Sequence, residues 1–126
     1  MPQTEVRLFR SASGEVPFLD WFTNLKARDR KAYTACVQRI LALSEHGHDL
    51  DRPLAAFLRN GIYELRFKNN TVQYRVLYFF VGKNAAVLSH GIRKTGAKVP
   101  DQEIEKAIRS MRLVESNPDK YTADFT

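Results

Sequence analysis

The sequence has little of what stabilises secreted proteins or membrane proteins. Its single cysteine, Cys36, cannot form a disulfide within the chain, which agrees with a reducing compartment. No apolar run approaches the roughly 20 residues that a helix needs to cross a bilayer. The N-terminus lacks the charged and then apolar pattern of a secretory signal. From these absences we expect a cytoplasmic protein with no membrane segment.

Acidic residues are also fewer than basic residues. The chain has 14 Asp and Glu against 20 Lys and Arg, so its formal net charge is +6. The whole excess lies between residues 62 and 98, where seven basic side chains accompany one acidic side chain, Glu64. The rest of the chain carries 13 side chains of each sign. A segment that concentrates the positive charge in this way indicates a polyanionic partner.

Several catalytic and metal-binding motifs are missing. The chain has no phosphate-binding glycine loop, no nucleophile elbow and no cysteine cluster. His46 and His48 form a His-x-His pair near Asp49 and Asp51, which is the nearest approach to a metal site. No third ligand follows at a recognised spacing, so a polar loop at a helix end is the better interpretation. We therefore expect neither a metal nor a cofactor.

The basic segment has the pattern of a β-meander. Residues 62–68, 73–81 and 85–92 are three runs rich in β-branched and aromatic side chains, and short turns with Asn and Gly separate them. The other predicted elements are a strand over 5–10, a helix from Pro17, a helix over 29–46, a weakly patterned approach over 54–60 and a last helix from Pro100.

This order of elements predicts the fold class. One strand, two helices, three strands and a helix are typical of an α+β domain, and we expect the helices to pack on one side of a small, twisted antiparallel β-sheet. The other side of the sheet is then open or covered by a partner. We place a single domain over 1–114 and a loose C-terminal tail over 115–126, in which Tyr121 and Phe125 are the residues able to dock.

Strand alternation identifies the candidate functional side chains. In the first run Glu64, Arg66 and Lys68 share one face, which suits either phosphate binding or a solvated surface with ion pairs. Arg75 lies in the strand expected to be central, where a charge needs either a functional cleft or a partner such as Glu64. His90 ends the third run and is either a general acid or base or a structural histidine.

Three motifs together are similar to a known protein family. They are Gly61-Ile62-Tyr63-Glu64-Leu65-Arg66, Tyr74-Arg75-Val76-Leu77-Tyr78, and His90-Gly91-Ile92 followed by Lys94, Lys98 and Pro100. Over roughly residues 5–112 the chain resembles the phage-derived Gp49-like group of HigB toxins. These toxins belong to the RelE/ParE superfamily of type II toxin–antitoxin systems.

The resemblance implies a RelE-like fold and a metal-independent endoribonuclease that cleaves mRNA on the translating ribosome. It also implies a helix-turn-helix antitoxin of the HigA type as the partner. Matched by position, Arg66, Arg75 and Lys94 take the basic catalytic positions. For the proton acceptor, His90, then Glu64, then a lysine of lowered pKa are the candidates. The residues expected to contact RNA are Lys68, Arg93, Lys98 and Glu64.

The chain departs from the family pattern at two places. The family usually has Lys-Lys-Thr where this chain has Lys94-Thr95-Gly96, so one basic group is missing. Glu64 stands where the ribosome-dependent relatives place a lysine, although Glu is usual in the Gp49-like group. Two other functions are compatible with the same sequence: a gyrase-inhibiting toxin of the same fold, and a non-catalytic nucleic-acid-binding phage accessory protein.

Overall fold

The computed structural model describes residues 3–125, which form six strands and four α-helices. In chain order these are β1 (Glu5–Phe9), α1 (Pro17–Arg28), α2 (Arg30–His46), β2 (Ala55–Arg59), β3 (Ile62–Asn69), β4 (Val72–Val81), β5 (Ala85–Lys94), α3 (Asp101–Ser116), α4 (Pro118–Tyr121) and β6 (Thr122–Asp124). The strands form one sheet in the order β2-β3-β4-β5-β1-β6. The predicted α+β class is confirmed.

The predicted meander forms the middle of this sheet. β3, β4 and β5 pair antiparallel in sequence order, and β4 is an inner strand as predicted. β1, in contrast, pairs parallel with β5. Two helices and three strands lie between them in the chain, and a connection of this length lets the chain return in the same direction.

Local sequence features explain where the first two helices begin and end. Pro17 is at the start of α1, where its missing N–H costs nothing. Asp29 ends α1 and caps α2, because its Oδ1 accepts a hydrogen bond of 3.1 Å from the Ala32 N–H. Gly47 follows α2 with φ +53°, a conformation that glycine adopts without steric cost.

Within residues 3–125, no helix combines the length and the apolar character that crossing a membrane would require.

Helices cover both faces of the sheet. On one face α1 and α2 bury Phe18, Phe22, Leu25, Ile40 and Leu43 against Leu65, Val76 and Leu88. On the opposite face α3 buries Ile104, Ala107 and Ile108 against Leu77, Phe79 and Val87. We expected all helices on one side. α3 takes the other side because β4 carries apolar residues in both directions and needs cover on both.

The C-terminal segment belongs to the folded domain. The boundary predicted at residue 114 falls inside α3, and β6 pairs antiparallel with β1, with Thr122 opposite Phe9. The Phe125 ring lies 5.9 Å from the ring of Phe18. β6 and β2 are short and weakly patterned, so their strand character comes from the neighbours that they pair with. Residues 1, 2 and 126, at the ends of the two predicted ranges, lie outside the described part.

Candidate functional site

Beyond the apolar contacts of α3, the same face of the sheet carries a group of charged side chains on β3 and β4. Glu64 is at its centre and is 3% exposed. Its Oε2 accepts a hydrogen bond of 2.9 Å from Nη1 of Arg66. Its Oε1 lies 3.2 Å from Nε of Arg75, the distance of an ion pair without the alignment of a hydrogen bond. One buried carboxylate therefore lies between two guanidinium groups, which compensate its loss of hydration.

Arg75 is buried and held by several protein groups. It is 3% exposed, its Nη1 donates to the Tyr74 carbonyl at 2.9 Å, and its Nη2 donates to Oε1 of Gln73 at 2.9 Å. Burial lowers the pKa of Arg75, and the nearby carboxylate of Glu64 opposes that change. An arginine stays charged under these conditions, so Arg75 is a permanent counter-charge that holds Glu64 in place.

Arg66 is the accessible member of the group. Its side chain is 29% exposed and lies at a cavity of about 340 Å³. In the part of the chain that the structure describes, this cavity is lined by four cationic residues and no carboxylate: Arg39, Arg66, Lys68 and Arg75, with Pro53, Phe67 and Gln73. Arg39 reaches it from α2 and donates from Nε to the Arg66 carbonyl at 2.8 Å. Such a lining suits an anion, and phosphate in particular.

The other predicted RNA contacts do not all share this face. Lys94 lies opposite Gln73 in the register of β4 and β5, at the edge of the charged group, and donates from Nζ to the Gly96 carbonyl at 2.9 Å. Arg93, the preceding residue, lies opposite Tyr74 and so faces the α1 side. Lys98 is exposed in the loop after β5. The structure therefore brings together Glu64, Arg66, Lys68 and Arg75, with Lys94 beside them, and leaves Arg93 and Lys98 apart.

A β-bulge explains the position of His90. Leu77 pairs with His90 but Tyr78 pairs with Leu88, so Ser89 is an extra residue in β5. As a result both Ser89 and His90 contact α3. Ser89 Oγ lies 3.2 Å from Ser110 Oγ and 2.8 Å from His90 Nδ1.

His90 is buried and neutral at pH 7. It is 4% exposed, and its Nε2 lies 3.0 Å from Oε1 of Glu103. Burial, helped by the positive charge of Lys106, lowers the pKa of His90 to about 4 although Glu103 opposes the change. In the neutral form an Nε2–H can donate to Glu103. Nδ1 then lies beside Ser89 Oγ, whose own proton is donated to Ser110 Oγ.

Two lining residues were missed by the sequence analysis. Gln73 is two positions before Arg75, so the alternation of β4 was sufficient to place it on the same face. Arg39 is 27 residues from its bonding partner Arg66, and nothing in the helical pattern of α2 predicts a contact with a strand edge.

Within residues 3–125, no three His, Cys, Asp or Glu side chains are grouped closely enough to hold a metal ion, and the His46–His48 pair is not part of such a group. A comparison with curated proteins found no match. The profile of the phage-derived Gp49-like protein family (DUF891) matches residues 20–112, a range that holds every predicted site residue. The chain therefore belongs to this phage-derived, toxin-like family.

Proposed function

We propose that this protein is the toxin of a type II toxin–antitoxin system and that it cleaves mRNA on the ribosome without a metal. A helix-turn-helix antitoxin is the partner in this proposal. The observation that carries it is the buried Glu64, which holds Arg66 at the edge of a cavity lined by four cationic residues. Membership of a toxin-like family supports the proposal of a toxin, and the cationic lining of the cavity supports the proposal of RNA cleavage.

The reaction needs little from the protein beyond positioning and charge. The 2′-hydroxyl of the RNA attacks the adjacent phosphorus, a base accepts its proton, and the bond from phosphorus to the 5′-oxygen breaks as that oxygen is protonated. The products are a 2′,3′-cyclic phosphate and a 5′-hydroxyl end. Negative charge builds up on the phosphoryl oxygens in the transition state. Preorganised cations stabilise that charge without reorganising, which is usually the largest catalytic contribution.

In this proposal the two arginines have different roles. Arg66 and Lys68 are accessible at the cavity, so we place them in contact with the scissile phosphate, with Lys94 on a neighbouring phosphate. Arg75 is buried, forms an ion pair with Glu64 and donates to Gln73 and the Tyr74 carbonyl, so in our proposal it acts through Glu64 as a positioning residue.

His90 as the general base stays a prediction. Its lowered pKa keeps the imidazole in the neutral form that a base requires. Its ring, however, lies under α3 with both nitrogens within hydrogen-bonding distance of other side chains, and His90 does not line the cavity where we place the RNA.

The test compares Arg66→Ala with Arg59→Ala. Arg59 is a matched arginine on the neighbouring strand β2, where it pairs with Glu105 at 2.9 Å outside the cavity. We expect Arg66→Ala to lower the cleavage rate by about 10²–10³-fold, the usual loss for one charge stabiliser, and Arg59→Ala to leave it unchanged. The readouts are growth after induced expression, 5′-end mapping of cellular mRNA, and cleavage of ribosome-bound mRNA by purified protein.

Each outcome distinguishes between functions. Cuts in phase with codons, lost in Arg66→Ala, support the proposal. DNA breaks with intact mRNA reject it in favour of a gyrase target. Expression that slows neither growth nor translation rejects a toxin altogether. Co-expression of a helix-turn-helix protein encoded beside this gene is expected to restore growth.

A further inference from the structure

A second cavity lies at the same end of the sheet on the opposite face. It has a volume of about 290 Å³ and lies between α1 and the ends of β4 and β5. Two aromatic rings, two arginines, an amide and a carboxylate line it: Trp21, Tyr74, Arg28, Arg93, Asn24 and Asp29. The proposed catalytic group uses none of these residues.

The two rings are held in fixed positions. Trp21 packs edge-to-face with Tyr74, with the ring centroids 6.3 Å apart. Its indole also lies directly on Gly91, where a Cβ would clash with three ring atoms. The Tyr74 hydroxyl donates to Oδ2 of Asp29 at 2.9 Å. The half-buried Trp21 is therefore a rigid aromatic surface at the cavity, fixed in place by the buried Tyr74, and every nucleobase has a π-face that can stack on such a surface.

The charges favour an anion beside these rings. Arg28 and Arg93 are exposed, and within residues 3–125 neither forms an ion pair with a carboxylate. Asp29 is the opposing charge, but its oxygens already accept hydrogen bonds from the Ala32 N–H, Asn69 and Tyr74. Burial and Asp29 raise the pKa of the Tyr74 hydroxyl, and the positive charges of Arg93 and Arg28 oppose that rise.

The two cavities are back to back because consecutive strand residues point in opposite directions. On β4, Tyr74 lines the second cavity and Arg75 the first. On β5, Arg93 faces the second cavity while Lys94 lies on the other face. A single-stranded nucleic acid that passes round the end of the sheet can therefore reach cationic side chains on both faces.

We propose that the second cavity binds one nucleotide of a single-stranded RNA, with its base stacked on Trp21 and its phosphate on Arg28 and Arg93. The identity of the strand rests on the proposed function, whereas the nucleotide chemistry rests on the lining alone. The second cavity then holds the RNA at a second point, at a distance from the phosphate that is cleaved. Without the second cavity, the cationic residues of the first cavity would contact only the phosphate backbone of the RNA.

Trp21 makes the proposal directly measurable, because it is the only tryptophan in the sequence. Adenosine 5′-monophosphate and inorganic phosphate are titrated separately into the full-length protein while its intrinsic fluorescence is recorded. We expect the nucleotide to quench Trp21 saturably and to bind more tightly than phosphate. Arg28→Ala and Arg93→Ala should each weaken nucleotide binding about 10-fold or more, as expected for the loss of a hydrogen bond to a charged group.

The matched control is Arg30→Ala. Arg30 is exposed at the start of α2, two positions from Arg28, and does not line the cavity, so its loss changes the net charge equally. We expect its binding curve to match that of the unmodified protein. Equal weakening in all three variants would overturn the proposal, because it would indicate a diffuse charge effect.

The remaining outcomes separate this inference from the proposed function. Absence of quenching overturns the inference, and so does equal affinity for nucleotide and phosphate, which leaves an anion site with no role for the rings. Quenching by a protein that does not cleave mRNA refutes the proposed function and supports this cavity. Cleavage without quenching refutes the cavity alone.

Discussion

The two faces of the sheet differ in chemistry although the same strands form both. The close aromatic ring pairs of the described residues lie on the α1–α2 side, for example Phe67 with Tyr74 at 5.5 Å and Tyr63 with Tyr78 at 5.5 Å. Of the described residues, the buried polar side chains lie on the α3 side: Glu64, Arg75, Ser89, His90, Ser110 and Thr122, which is opposite Phe9 in the register of β1 and β6. A period of two in β3 and β4 is sufficient to separate these two surfaces.

The difference has energetic consequences. Aromatic residues stabilise the α1–α2 side through buried apolar area and close packing. The α3 side holds charges whose desolvation is offset only while each partner is in place. Substitutions on the α3 side should therefore be costly when they remove one partner, whereas substitutions on the α1–α2 side should be costly when they disturb packing.

Arg75→Ala is expected to have the largest effect on stability. It leaves Glu64 buried with only Arg66 as a partner, and breaking a buried pair in this way costs about 3–5 kcal/mol. This is a large share of the roughly 5–15 kcal/mol that stabilises a domain of this kind. Thermal and denaturant unfolding of the purified variants measure it.

The matched variant is the double substitution Glu64→Leu with Arg75→Met, which removes both charges. It should recover most of the lost stability, because replacing a whole buried pair by apolar groups is often neutral. If Arg75→Ala melts like the unmodified protein and still loses cleavage, Arg75 contacts the phosphate directly and the positioning role is wrong.

Acid should weaken the α3 side through His90. The pKa of His90 is about 4 in the folded protein against about 6.5 in an unfolded chain, so between these values only the unfolded chain gains a proton. Stability then falls as the pH falls from 6.5 towards 4, by up to about 3 kcal/mol, and does not change through His90 above pH 6.5.

The measurement is the free energy of unfolding of the unmodified protein and of His90→Gln at pH 7.5 and pH 4.5. The variant should be the less stable at pH 7.5, and the difference should narrow at pH 4.5. His46→Gln is the control, since His46 is exposed at the end of α2. A difference that stays constant with pH would show that His90 is not held neutral by Lys106 and its burial.

Gly91→Ala tests the aromatic side and should have the smallest of these effects. Gly91 does not have a positive φ, so the cost comes only from the clash of the new methyl with the Trp21 ring. Overpacking of this type typically costs about 1–3 kcal/mol. Trp21 emission should shift to longer wavelength as the ring is displaced towards solvent.

Gly96→Ala is the control, because a Cβ there meets only the Lys98 carbonyl at 4.0 Å. Its stability and emission should stay within about 0.5 kcal/mol and a few nanometres of the unmodified protein. An equal loss in both variants would attribute the effect to the backbone rather than to Trp21.

The parts of the fold that depend on local sequence were predictable. Alternation placed Tyr63, Leu65 and Phe67 opposite to Glu64 and Arg66, and prolines located two helix starts. The same alternation separates Arg93 from Lys94, yet their adjacency in the sequence led us to group them.

The remainder depends on contacts between distant residues. The side of the sheet that α3 covers, the strand character of β6 and the approach of Arg39 to Arg66 are decided by tertiary packing. The bulge at Ser89 also has no local signal, because it is defined by the register against β4.

The position of β1 has a consequence for how the chain acquires its structure. β1 is synthesised first, but its neighbours are β5, which begins at residue 85, and β6, which begins at residue 122. Its ladder therefore closes last, through contacts of very high sequence separation, and such contacts slow folding. The β3–β4 hairpin, with the proposed catalytic group, needs only neighbouring residues and can form earlier. A nascent chain would then hold Arg66 and Arg75 against Glu64 before its first strand is paired.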